Sequence, residues 1–229
     1  QAIDDVRKQK LSVSCSVATE DIIAAPDVPS IYAVPLNFRE EGVTDRIVKK
    51  LNIHLPRPGL DDWKRLNHRI GTVTKPVRIG IVGKYFSTGD FVLTDSYLSV
   101  LEAIKHAAWA INRKPDIVWL NSEDFEKRPA SVAQELKKLD GVLIPGGFGT
   151  RGIEGKLKAI KYVREHKVPY LGLCYGMQLA TVEVARDLLG WKDANTTEIN
   201  PKSSHPVIHL MNEQEEKMND ADYGGTMRL

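Results

Sequence analysis

Cysteine is scarce in this chain. Only Cys15 and Cys174 occur among its 229 residues. Two cysteines so far apart make no disulfide framework, and the polar stretch Gln1 to Lys10 holds no apolar core of a secretory leader. The expected setting is therefore a reducing cytoplasm, where a lone thiol can serve as a nucleophile. Long apolar runs are missing too: none approaches the roughly 20 residues that a membrane-spanning helix needs. Excess charge of one sign is also absent. With 32 basic and 30 acidic residues the formal net charge is +2, which gives no electrostatic ground for expecting nucleic acid or a membrane surface as partner. What is present is ordinary for a globular protein, 42% hydrophobic and 27% charged. The length suits one large domain, or one domain and a smaller piece. The Gln1 start and the Thr226-Met227-Arg228-Leu229 end both read as cuts inside a longer protein.

Along the chain, three segments are expected: residues 1–55, a linker at 56–76, and a domain at 77–229. In the first, the alternation of Leu11, Val13, Cys15 and Val17 predicts a strand, and Asp21 to Ala25 a second short one. Val43, Ile47, Val48 and Leu51 at helical spacing predict a helix over 40–51. Pro56, Pro58, Gly59, Gly71 and Pro76 punctuate the linker, and Trp63 is expected to pack it against a neighbour. From Val77 the pattern changes. Strands at 77–82, 116–120, 141–144 and 168–173 alternate with helices at 97–111, 130–139, 156–166 and 176–189. Gly190 follows as a helix stop. This alternation predicts an α/β domain with a mostly parallel sheet flanked by helices. Ligands are then expected at the carboxyl ends of the strands.

Gly172-Leu173-Cys174-Tyr175-Gly176 has the spacing of a nucleophile elbow with Cys in place of Ser. A sharp strand-to-helix turn would lift the sulfur above the sheet, and the flanking glycines tolerate backbone packing that a Cβ would obstruct. The positive end of the following helix would favour thiolate. The Tyr175 N–H is placed to donate to a developing oxyanion. The structural alternative is a buried, inert Cys; the elbow context argues against it. Pro145-Gly146-Gly147-Phe148-Gly149 ends the preceding strand, and its glycines could aim further N–H groups at an oxyanion. A nucleotide phosphate loop would need a different glycine spacing.

These motifs resemble class I glutamine amidotransferases, and more narrowly the CTP synthase family. The narrowing features are Ile81-Val82-Gly83-Lys84-Tyr85, the run from Pro145 to Gly155, Asp193-Ala194-Asn195-Thr196-Thr197-Glu198, and Gly224-Gly225-Thr226-Met227-Arg228-Leu229. Ser30 to Leu36 with Glu41-Gly42-Val43 resembles the end of that family's synthetase domain, so the resemblance runs along nearly the whole chain. It implies a flavodoxin-like amidotransferase fold, preceded by the end of another α/β domain and incomplete at its C-terminus. It also implies hydrolysis of L-glutamine at Cys174 through a glutamyl-thioester, with Gly147 and Tyr175 as backbone oxyanion donors. Gly146, Phe148, Gln178 and Glu198 would line or hold the glutamine, Glu198 by pairing with its α-ammonium. Arg151, Gly152 and Glu154 would belong to an effector loop. In the family, the ammonia converts UTP to CTP with ATP and Mg²⁺, GTP activates, and the enzyme is a cytoplasmic homotetramer. No cofactor and no metal is expected within this chain.

The family pattern places a base, a His oriented by a Glu, in an H-P-E segment downstream. The 229 residues contain no H-P-E. His205-Pro206-Val207 lies just after the Glu198 segment, and His205 reads as a strand residue. His205 and His209 lack the companions of a metal site. Alone, the chain is not expected to make CTP. Another class I glutamine amidotransferase, or a non-catalytic module of that fold kept for assembly, stands as the alternative.

Overall fold

The computed structural model describes residues 3–54, 59–83, 97–147 and 149–209. The chain forms two compact units, Gln1–Thr74 and Lys75–Leu229.

The first unit is helical. Helix α1 (Asp5–Cys15) replaces the expected strand. Asp4 caps it, its carboxylate accepting from the Arg7 N–H at 2.8 Å, and the Lys, Arg and Gln that follow are good helix formers. The apolar alternation had no sheet to face: no residue of α1 is buried. Asp21 likewise closes a 3₁₀ turn (Thr19–Asp21), and residues 22–25 run without regular structure. Helices α2 (Val34–Glu40) and α3 (Val43–Leu51) follow, separated by Gly42 in the left-handed region. Residues 61–72 of the expected linker form a third long helix, α4 (Asp61–Thr72). Asp61 and Asp62 in its first turn and Arg69 in its last complement the helix dipole. The neighbour of Trp63 is Tyr32, with ring centroids 6.2 Å apart. Asn67 seals this contact by donating to the Tyr32 carbonyl.

The second unit is the α/β domain. Strands β1 (Pro76–Gly83), β2 (Lys114–Asn121), β3 (Gly141–Ile144) and β4 (Tyr170–Gly172) form a sheet in the order β2-β1-β3-β4. Every pairing is parallel. Helix α5 (Leu98–Ala110) covers one face, over Ile81 and Leu143. The opposite face is covered by α6 (Ser122–Lys127), α7 (Ala130–Leu136), α8 (Ile153–Glu165) and α9 (Tyr175–Asp187), over Val82, Leu120, Val142 and Ile144. Neighbouring residues of a strand thus feed opposite layers. Helix α6 was not expected; Asn121 caps it through its side chain at the end of β2. A short parallel pair, β5 (Asn195–Thr196) and β6 (Pro206–Ile208), lies beyond α9.

Within α8 and α9, Glu183 is buried and receives a two-pronged contact from Arg164, at 2.7 Å from Nη2 and 2.9 Å from Nε. The charge is fully paired, which is the condition under which a buried carboxylate is tolerated.

Candidate active site

Strands β3 and β4 are neighbours, with Ile144 opposite Gly172. The turns at their carboxyl ends therefore meet. Beyond β3 runs the glycine turn 145–149, and beyond β4 comes Cys174. Cys174 is exposed and adopts φ 49° and ψ −106°, an unusual conformation for a residue with a side chain. Such strain costs about 1–3 kcal/mol and persists only where the surroundings enforce it. Three backbone bonds do so. Leu173 N–H donates to Ile144 O at 2.9 Å, Gly176 N–H to Leu173 O at 2.9 Å, and Gln178 N–H to Cys174 O at 3.1 Å. The half-buried Tyr170 phenol, its pKa pushed up by desolvation, donates to Gly176 O at 2.7 Å.

The flanking glycines answer to space rather than to φ. A Cβ on Gly176 would lie 2.1 Å from the Ile144 carbonyl oxygen, and one on Gly172 would lie 2.6 Å from backbone of Gly176 and Met177. Helix, strand and turn are packed backbone against backbone. Cys174 is the N-cap residue of α9, so the sulfur sits at that helix's positive end.

The glycine turn closes on the sulfur. A Cβ on Gly146 would stand 3.5 Å from Cys174 Cβ and 3.9 Å from Sγ. Gly147 is the next residue of that wall, and Tyr175 begins α9 on the other side of Cys174. Gln178 lies one turn further along α9 and is half-buried. Phe148 lies outside the described residues, as do Lys84 and Tyr85.

Glu198 joins the site from the loop between β5 and β6. Its Oε1 accepts the Gly149 N–H at 2.9 Å. The Tyr175 hydroxyl donates to the Gly149 carbonyl at 3.0 Å. Burial, and then the Glu198 charge, push the Tyr175 phenol up to about 12. The loop's ends are tied by Asp193. Its carboxylate accepts from Ser204 N–H and Ser204 Oγ at 2.6 Å, and contacts His205 Nδ1 at 2.6 Å. These bonds, the Ser204 hydroxyl first, hold its pKa well below the usual carboxylate range. His205 also stacks on Trp191, with centroids 5.0 Å apart. It thus lies just before β6 and serves as a loop clamp. Sequence spacing alone could not pair Asp193 with a histidine 12 residues on, nor show where the Tyr175 hydroxyl points.

Arg151, Gly152 and Glu154 sit together at the start of α8. Arg151 Nε contacts Glu123 at 2.5 Å, Glu154 contacts Arg186 at 3.0 Å, and Gly152 is left-handed against Ser122. The Glu126 carboxylate accepts the N–H groups of Glu154 and Gly155 and caps this helix. Among the described residues no group of three or more His, Cys, Asp or Glu could hold a metal ion. No helix there is long and apolar enough to cross a membrane.

Residues 92–228 match the family model of glutamine amidotransferase class-I. The chain belongs to that family. The amidotransferase domain is preceded by residues 1–53, which match the model of the CTP synthase N-terminus. The chain is 47% identical over 221 residues to a CTP synthase of Carboxydothermus hydrogenoformans, covering 96% of this chain and 39% of that protein. It is 42% identical over 229 residues to one of Listeria monocytogenes, covering 100% of this chain and 41% of that protein. The chain thus spans about two fifths of the length of the curated relatives it matches. Among solved structures, the amidotransferase domain resembles the glutaminase domain of Trypanosoma brucei CTPS with bound acivicin. The TM-score is 0.56 and the identity 40%, over 62% of this chain and 53% of that one.

Proposed function

We propose that this chain is the glutamine-hydrolysing part of a CTP synthase. Cys174 Sγ attacks the side-chain carboxamide carbon of L-glutamine. The negative charge that develops on the carboxamide oxygen is met by the N–H groups of Gly147 and Tyr175. Collapse expels ammonia and leaves a glutamyl-thioester on Cys174. Water then attacks the thioester carbonyl, releasing glutamate and the thiol. Glu198 holds the substrate's α-ammonium, and Gly146 and Gln178 line its path.

One observation carries the reading: an exposed cysteine held at positive φ at a helix start, faced by a glycine turn on which an added Gly146 Cβ would lie 3.5 Å from the cysteine's own. Oxyanion donors placed in advance are worth about 2.7–4 kcal/mol each. A His and Glu outside these residues would take the thiol proton and deliver it to the leaving ammonia. In the whole enzyme the ammonia would aminate UTP activated by ATP and Mg²⁺, with GTP as activator and a homotetramer as the assembly. Those nucleotide sites belong to the synthetase portion. Arg151, Gly152 and Glu154 would form part of the effector loop.

The test is CTP formation by the complete product of the gene, from UTP, ATP and Mg²⁺, with either glutamine or ammonium. Cys174→Ala should abolish only the glutamine reaction. Ammonia release from glutamine with no CTP from either nitrogen source would leave a glutaminase and sink the CTP synthase assignment. CTP formed by the 229-residue chain alone would refute the view that it is only a part.

A further inference from the structure

Tyr175 already has a backbone role in the reading above, but its side chain does something else. It is buried at 2% exposure beneath the glycine turn. Its ring lies over the Lys156 ammonium, 5.4 Å from the centroid, so the ring is held by packing and charge together. A phenylalanine would satisfy that packing equally. The hydroxyl is additional, and it donates to the carbonyl of Gly149 at 3.0 Å.

Gly149 is left-handed, at φ 75°. A glycine there has no Cβ to fix its rotation, so its two flanking peptide planes take their orientation from their partners. One plane is held by the Tyr175 hydroxyl through the carbonyl. The other presents the N–H to Glu198 Oε1 at 2.9 Å. Glu198 is otherwise an exposed side chain on a loop. With Oε1 accepting from Gly149 and the side chain exposed, its second oxygen is the atom that would face a cation.

We propose that the Tyr175 hydroxyl is a positioning group for the α-ammonium end of the substrate, acting through the Gly149 peptide on Glu198. This rests on the glutaminase reading and adds to it which atoms set selectivity for an α-amino acid. The phenol, pushed up to about 12, stays protonated at working pH and remains a donor throughout.

The experiment measures ammonia release by the complete gene product from L-glutamine and from 4-carbamoylbutanoate, which is glutamine without its amino group. Tyr175→Phe should lower kcat/KM for L-glutamine by about 2- to 10-fold, the worth of one hydrogen bond, with KM carrying most of the change. The value for 4-carbamoylbutanoate should move less than about twofold, so the preference for the amino acid falls. In a Glu198→Gln background the same substitution should cost less than about twofold, because both residues act along one chain of bonds. Equal losses on both substrates, or a full additive loss in the Glu198→Gln background, would overturn the proposal. Ammonia release that survives Cys174→Ala would overturn the glutaminase reading instead.

Discussion

Gly146 separates stability from chemistry in this site. A methyl placed there meets Cys174 Cβ at 3.5 Å and Sγ at 3.9 Å, ordinary contact distances, and Gly146 has no positive φ to strain. Gly146→Ala should therefore fold as well as the parent, or gain about 0.4–1 kcal/mol from the stiffer unfolded chain. The same methyl stands between sulfur and glycine turn, where the proposed mechanism puts the oxygen of the substrate carbonyl. Displacing one oxyanion donor costs about 10²–10³-fold in kcat, and that is the loss expected in glutaminase rate. Gly176→Ala is the contrast. Its Cβ would meet the Ile144 carbonyl oxygen at 2.1 Å, and neither atom belongs to a movable side chain. It should destabilise by more than about 3 kcal/mol, beyond ordinary overpacking. Urea unfolding and ammonia release, measured on both variants, give the comparison. Alkylation by iodoacetamide, mapped by peptide because Cys15 is also exposed, reports access to the thiol. A well-folded Gly146→Ala within threefold of parent activity would refute the view that this turn is the oxyanion wall.

Other substitutions test the frame around the site. Glu183→Gln should cost about 2–3 kcal/mol in urea unfolding, below the roughly 3–5 of a fully buried pair, because the Arg164 side chain is 29% exposed. Asp193 titrates lower in the fold than in the unfolded chain. The stability it adds is present above its unfolded value of about 3.9 and is lost as pH falls through the depressed folded value. Asp193→Asn should flatten that acid limb in a plot of Tm against pH, and an unchanged limb would refute the clamp. Gly71→Ala, in α4 with nothing within 4 Å of the new Cβ, should raise the stability of its unit by about 0.5–1 kcal/mol; a fall in Tm would show that the helix is strained there.

The α/β domain was legible because parallel strands buried on both faces read as short apolar runs, and β1 and β3 are such runs. The elbow was legible because its glycines are dictated by backbone contact with Ile144 and Met177, a constraint that leaves residue type as its trace. The N-terminal unit was not. Leu11 to Val17 alternate, yet alternation has meaning only against a sheet, and there the cap at Asp4 and the polar helix formers decide. Gly71 and the prolines suggested a linker over what is α4, because one glycine near a helix end costs only about 1 kcal/mol. The Tyr175–Gly149–Glu198 chain was also hidden. It depends on where a hydroxyl points, and no periodicity encodes that.

The strand order carries a consequence for the thiol. β1 lies between β2 and β3, and β4, the strand that leads to the thiol, forms the edge of the sheet beside β3. The bond from Leu173 N–H to Ile144 O cannot form until β3 is seated, so the positive φ of Cys174 cannot be imposed earlier. Where that edge opens, Cys174 becomes an ordinary cysteine, so reactivity of the thiol reports on the pairing of β3 with β4.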